Sequence, residues 1–344
     1  MRRGSVVQLV ALAAVFGAAA SAVALLITWL PRPASEQADR IDFVFWFVTA
    51  ICIAIFALVA AVIVYAVFKF RAGPDDDSDG PPVHGHTGLE IVWTAVPAVL
   101  VTAIAIVSAV VLARNEHVPR AAAGSTNPLK PLVVDVTAQQ FAWLFKYPGF
   151  NDATSSTLRL PVHTTVQLHL RSLDVIHSFW VPEFSQKQDA VPGLVTKLVI
   201  TPKRLGTFPV ICTELCGLGH ALMRSETEVM TAAKFKAWAG SQNTGGSGGG
   251  GPSAKALFVS NGCDGCHTFK PAGANGTVGP DLDKLAEEAR RAGKPLEEFI
   301  RESIVNPTAY VEPGYPKGVM PSTYAGLPKA QLDALVKFLA GGAK

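Results

Sequence analysis

Residues 211–223 read Ile-Cys-Thr-Glu-Leu-Cys-Gly-Leu-Gly-His-Ala-Leu-Met, which places Cys212, Cys216, His220 and Met223 within twelve residues. Thiolate, thioether and imidazole together select copper over hard cations. A mononuclear blue-copper site needs one cysteine, and a closed zinc site has no use for the methionine. Two cysteines four apart could instead bridge two copper ions, with His220 on one and Met223 a weak ligand of the other. A second imidazole must then come from elsewhere, and His177 in Asp-Val-Ile-His-Ser-Phe-Trp-Val-Pro is the best placed. A Cys212–Cys216 disulfide and a zinc site are the alternatives.

A second motif lies downstream in Asn-Gly-Cys-Asp-Gly-Cys-His-Thr-Phe. Cys263, Cys266 and His267 form the C-x-x-C-H pattern, in which two thioethers anchor a heme and the adjacent imidazole ligates iron. His267 is the last histidine of the chain and Met320 the one methionine after it, so Met320 in Gly-Val-Met-Pro is the candidate for the sixth ligand. A zinc or thioredoxin-like use of Cys263 and Cys266 is the competing account. Of five cysteines only Cys52 remains, inside an apolar run, where a small buried hydrophobe is the default.

Taken together, Cys-x-Glu-x-Cys-x-x-x-His-x-x-Met and the upstream His-Ser-Phe-Trp-Val-Pro resemble the binuclear copper center of subunit II of heme–copper cytochrome c oxidases. The likeness covers roughly residues 40–240. It implies copper ligation by His177, Cys212, Cys216, His220 and Met223, with Glu214 ligating through its carbonyl. It further implies that the Glu214 side chain helps hold magnesium at the boundary with subunit I. Residues 253–343 resemble a class I cytochrome c, with Val278-Gly279-Pro280-Asp281-Leu282 where that family has a heme-packing loop. Glu90, in Leu-Glu-Ile-Val-Trp, matches a glutamate at the mouth of a proton pathway into subunit I; the competing account is a helix-start acid favoured by the macrodipole. In Gln140-Phe141-Ala142-Trp143, Phe141 stands where the family has the tryptophan that receives electrons, and Trp143 matches a second tryptophan. Aromatic packing over the copper site is the competing account for both.

The elements that must carry these sites differ sharply along the chain. From Phe43 to Phe68 there are 26 uncharged residues and from Ile91 to Ala113 there are 23. As helices at about 1.5 Å per residue, each spans a hydrocarbon core of about 30 Å. Residues 42–114 are therefore expected to form a transmembrane hairpin, with Pro97 near the start of its second helix. Residues 1–30 read as a signal peptide behind Arg2 and Arg3 or as an extra transmembrane helix. Under the positive-inside rule, Arg2, Arg3, Lys69 and Arg71 are cytoplasmic and everything past Arg114 lies outside.

Short alternating runs at 132–136, 165–170, 197–200 and 207–210 predict an antiparallel β-sandwich or barrel over 115–239. The resemblance makes it a cupredoxin-like Greek-key barrel with copper ligands on its loops. His163 and His169 are expected at polar strand or loop positions, and His84, His86 and His117 in loops flanking the helices. The 14 residues GSQNTGGSGGGGPS, 240–253, have the composition of a flexible linker, with a reach of about 20 Å. Helical patterning at 254–261, 282–292, 296–303 and 329–339 predicts an all-α cytochrome c domain over 254–344.

These observations predict a multidomain membrane protein with binuclear copper, heme c and a possible magnesium at the subunit I interface. Its expected role is to admit electrons to a terminal respiratory oxidase in a bacterial plasma membrane. Electrons would pass from the fused heme c to copper and on to subunit I, where oxygen is reduced to water. Expected partners are subunit I, subunit III, the bilayer and an upstream donor such as a quinol–cytochrome c reductase or a cytochrome c. The alternative is a membrane-anchored module serving a nitrous or nitric oxide reductase. A net charge of +3 on 344 residues gives no case for nucleic acid.

Overall fold

The computed structural model describes residues 3–71, 73, 85–118, 131–150, 152–241 and 254–343. The chain divides into a helical unit, residues 1–32 and 39–115, and a second unit comprising 33–38 and 116–344. His84 and residues 242–253 of the expected linker lie outside the described residues.

Among its described residues the first unit holds three helices, α1 (Arg3–Leu26), α2 (Glu36–Lys69, its first turn in the second unit) and α3 (Thr87–Glu116). All three are long and apolar enough to cross a membrane. Leu25, Phe56, Val67 and Val99 expose apolar side chains, as surfaces facing hydrocarbon do. The polar exception sits at the helix ends, where Arg40 donates to Asn115 Oδ1 at 3.1 Å. Pro97 lies inside α3, three turns from its start.

The second unit begins with a ten-stranded β-sandwich: β1 (Leu132–Gln139), β2 (Ala142–Tyr147), β3 (Ala153–Ser155), β4 (Leu158–Pro161), β5 (Val166–Ser172), β6 (His177–Val181), β7 (Gln186–Ala190), β8 (Thr196–Ile200), β9 (Gly206–Cys212) and β10 (Arg224–Met230). One sheet runs β3-β2-β1-β5-β8 and the other β4-β10-β9-β6-β7. This is the expected cupredoxin-like domain, with one correction. β1 pairs with β5, and β10 with β4, in parallel, so the sandwich is mixed rather than purely antiparallel. Alternation reports which face of a strand is buried; it carries no information on the direction of a neighbour distant in sequence.

Alternation does fix what each strand buries. On β2, Trp143, Phe145 and Tyr147 point into the core while Leu144 and Lys146 between them are only half-buried. Phe179 of β6 meets the Trp143 and Phe145 rings edge-on at 5.6 and 6.4 Å. Helix α4 (Ala232–Ser241) closes the domain; Thr231 Oγ1 caps it by accepting from Lys234 N, and Phe235 packs edge-on against Phe150. The helix takes in Gly240 and Ser241, the first two residues of the expected linker.

The C-terminal part is helical: α5 (Ala254–Ser260), α6 (Cys263–Cys266), α7 (Leu285–Arg291), α8 (Leu296–Val305) and α9 (Lys329–Gly342). A short ladder pairs Thr268–Phe269 with Ala274–Asn275. Leu332, Leu335, Val336 and Leu339 bury one stripe of α9, with Phe299, Ile300 and Ile304 of α8 in the same core.

Because Phe179 is fully buried among rings that also flank the His177 strand, Phe179→Ala should destabilise the sandwich by about 3–5 kcal/mol. A urea titration of the solubilised chain, followed by tryptophan fluorescence, measures this.

Candidate functional site

Three separate stretches of the sandwich converge on one buried cluster. His177 opens β6, Cys212 closes β9, and Cys216, His220 and Met223 lie on the loop that returns to β10. His177 Nδ1 lies 3.9 Å from Cys212 Sγ, and the two sulfurs are 3.9 Å apart. His220 Nδ1 and Met223 Sδ lie 3.6 and 3.8 Å from Cys216 Sγ. Donor atoms of His177, Cys212 and Cys216 all fall within 4.8 Å of one another. Both cysteines are free thiols, not a disulfide. The Glu214 carbonyl is 3.4 Å from Cys212 Sγ, whereas the Glu214 side chain is exposed. Soft donors packed around two thiols in an apolar setting suit copper.

The electrostatics separate the two thiols. Burial alone would raise Cys212, but the His177 ring and the Glu214 and Ser178 backbone outweigh it and hold the thiol at about 6. Burial raises Cys216 to about 12, with the neighbouring Cys212 charge adding to the effect. His177 is held above its ordinary value: burial opposes its charge, but the Cys212 sulfur and the Asp174 carboxylate prevail.

Asp174 was not among the residues expected here. Its Oδ1 lies 2.8 Å from His177 Nε2, leaving Nδ1 turned to the thiols. Its other oxygen accepts from Gln140 N at 2.6 Å. A carboxylate on the far nitrogen of a ligating imidazole fixes ring orientation and tautomer, so Asp-x-x-His was a readable signal. Gln140 also donates through Nε2 to the Cys216 carbonyl at 2.5 Å.

The C-x-x-C-H motif forms the short helix α6 beside a cavity lined by Cys263, Cys266, His267, Phe299, Met320 and Tyr324. His267 Nδ1 donates to the Pro280 carbonyl at 2.8 Å, which leaves Nε2 as the free electron pair. Burial lowers the His267 pKa more than the Pro280 carbonyl raises it, keeping the imidazole neutral. Gly279 is required by space: a Cβ there would stand 2.5 Å from His267 Cε1. A neutral imidazole, two free thiols and one thioether around an apolar cavity fit a covalently attached heme.

Phe141, in the turn before β2, and Ala142, the first residue of β2, line this same cavity. The Phe141 carbonyl is 4.0 Å from Cys266 Sγ, and its ring lies over Gly219, where a Cβ would come within 2.4 Å of Phe141 Cδ2. Trp143 is instead interior, its ring 6.1 Å from that of His177. Glu90 is exposed at the start of α3, where its Oε1 accepts from His86 N at 3.3 Å while His86 Nδ1 accepts from Leu89 N at 3.2 Å. That reciprocal arrangement caps the helix. His163 adopts a left-handed backbone, and His169 sits on β5 beside Asp135 of β1.

The geometry defines a membrane-anchored protein with a soft-metal donor cluster and a heme-type cavity in one globular unit. Residues 21–111 match the transmembrane domain of cytochrome c oxidase subunit II, 151–229 its periplasmic domain, and 253–342 cytochrome c. Cytochrome c oxidase subunit 2 of Synechocystis sp. is 34% identical over 247 residues, covering 61% of this chain and 74% of that one. The corresponding subunit of Thermostichus vulcanus is 36% identical over 253 residues, covering 61% and 77%. That of Bacillus subtilis is 30% identical over 334 residues and covers 90% of each. The chain belongs to the cytochrome c oxidase subunit II family and carries a C-terminal cytochrome c domain. It serves where electrons enter an oxidase, and its two globular domains imply copper and heme.

Because the His267 ring rests on Gly279, Gly279→Val should displace the imidazole and cut covalent heme incorporation several-fold. Heme-stained gels and the absorption spectrum of the purified chain report the outcome.

Proposed function

We propose that this chain carries electrons from its fused heme c to a binuclear copper center and on to subunit I of a terminal respiratory oxidase, where oxygen is reduced to water. Heme would be held by Cys263, Cys266, His267 and Met320. Copper would be held by His177, Cys212, Cys216, His220, Met223 and the Glu214 carbonyl. When bound, both groups supply one-electron redox chemistry. One observation carries the reading: the Gln140–Phe141 segment touches both sites, through Phe141 O beside Cys266 Sγ and through Gln140 Nε2 on the Cys216 carbonyl.

The chain's own residues do four things here. Asp174 orients His177 so that Nδ1 faces the thiols. Pro280 does the same for His267, freeing Nε2. The Phe141 ring, buried against Gly219, excludes water between the sites. Trp143, buried edge-on to His177, walls the copper side from the core. Phe141, which lines the heme cavity, is the better supported of the two aromatic residues for receiving electrons.

The same reading assigns the chain to a bacterial plasma membrane, with both globular domains on the outer side. Its partners are subunit I, subunit III and an upstream quinol–cytochrome c reductase or cytochrome c. The exposed Glu214 carboxylate is available to a magnesium ion at the subunit I boundary.

In the purified oxidase complex, heme c reduced by a light flash should reoxidise as the copper center is reduced. Cys216→Ser should abolish the two-copper mixed-valence spectrum and leave heme c reduced after the flash. In the flash experiment, copper reduction that precedes heme c reoxidation would overturn the order.

For Glu90 the proposed role is proton delivery into subunit I, in addition to the cap it forms. Glu90→Gln retains an acceptor for His86 N but removes the ionisable carboxyl. Turnover should slow several-fold with copper and heme spectra unchanged; oxygen consumption across the working pH range measures it.

A further inference from the structure

The aromatic run at the start of β2 is interrupted by one small residue, Ala142, between Phe141 and Trp143. Against Ala142 lies the backbone of the heme-attachment loop. A Cβ on Gly262 would stand 3.2 Å from Ala142 Cβ, and one on Gly265 would stand 3.9 Å from it and 3.8 Å from Ser156 Cβ. Gly262 also has φ +72, a conformation that favours glycine. The two segments meet here without side chains to spare.

Polar groups close the same contact on both flanks. Ser156 Oγ donates to Asp264 Oδ2 at 2.6 Å, joining the sandwich to the first of the two residues between the heme-attachment cysteines. Burial raises the Asp264 pKa against the opposing Ser156 hydrogen bond, and Asp264 Oδ1 is shielded from solvent with no hydrogen-bond partner among the described residues. A carboxylate so placed is costly, and Ser156 offsets part of that cost only while the domains touch. On the other flank Gln139 Nε2 donates to the Asn261 carbonyl at 3.1 Å and to Tyr324 Oη at 3.3 Å. At the methionine loop, Gly318 lies beside Leu218 and Val319 packs onto the sandwich core.

We infer that Ala142 and Ser156 form a docking seat shaped for this chain's own heme domain, with Gly262 and Asp264 as its counterparts. This rests on the proposed passage of electrons from heme c to copper. Ala142 lets α6 approach until Cys266 Sγ reaches the Phe141 carbonyl, and the Ser156–Asp264 bond sets the register. Ser156 and Ala142 are thus positioning residues. They bring the attached heme edge to the Gln140–Phe141 segment, which is bonded to Cys216.

The test uses the intact complex and four proteins: wild type, Ser156→Ala, Ser156→Asp, and the exchanged pair Ser156→Asp with Asp264→Ser. Heme c is reduced by a flash and its electron transfer to copper is timed; amide exchange of residues 259–266 is measured in parallel. Each single variant should slow the transfer about ten-fold, equivalent to about 1.4 kcal/mol of docking free energy. Amide exchange in 259–266 should rise, while heme and copper spectra and direct reduction of copper by a small-molecule donor stay unchanged. The exchanged pair should regain most of the rate, because one hydroxyl and one carboxylate again face each other. Single variants that transfer and exchange as wild type does would overturn the seat. If the wild-type complex passes no electron from heme c to copper, the functional reading itself falls.

Discussion

The arrangement of both cofactor regions depends on how the turn between β1 and β2 is held at Gln140. Its main-chain N–H is bound by Asp174, and its side chain by the Cys216 carbonyl. Asp174 in turn holds His177. One residue therefore links an imidazole strand, a thiolate loop and the Phe141 main chain against which the heme-attachment helix rests. Hydrogen bonds to a charged acceptor are stronger than neutral ones, and buried networks lose most when one member is removed. The turn is accordingly more than a connector: it sets distances on both of its sides.

Around that turn the protein uses two kinds of packing. The sandwich core is aromatic and β-branched, with Trp143, Phe145, Tyr147 and Phe179 fully buried. That rigid floor presents His177 and Cys212 from adjacent strands of one sheet, where Phe179 pairs with Cys212. The contact between sandwich and heme domain is built differently, from Gly262, Gly265 and Ala142, rimmed by Ser156, Asp264 and Gln139. A small-residue contact with a polar rim has little apolar area to hold it shut. Such a contact can separate and re-form, which the proposed collection of electrons from an upstream donor would require.

Much of this was readable from residue types and spacing. The soft-donor set within 212–223 and the heme-attachment motif at 263–267 are local, so sequence order alone brings their members close. The helices of the C-terminal domain were legible for the same reason: the apolar stripe of α9 repeats at helical period. His177 could be named from the sequence only as the best-placed second imidazole, since 35 residues separate it from Cys212 and spacing does not bring the two together. The parallel pairings β1–β5 and β4–β10 were missed because alternation is blind to strand direction.

By itself, the sequence determined which donor atoms the protein owns and which segments are long and apolar enough to enter a bilayer. These are properties of composition and short-range period. Tertiary structure alone decided that Asp174 holds His177, that Phe141 rather than Trp143 lines the heme cavity, and that Ala142 faces Gly262. Each is a contact between residues brought together by packing from separate strands, loops or domains. No local propensity encodes such a contact; it exists only once the apolar core has fixed which surfaces meet.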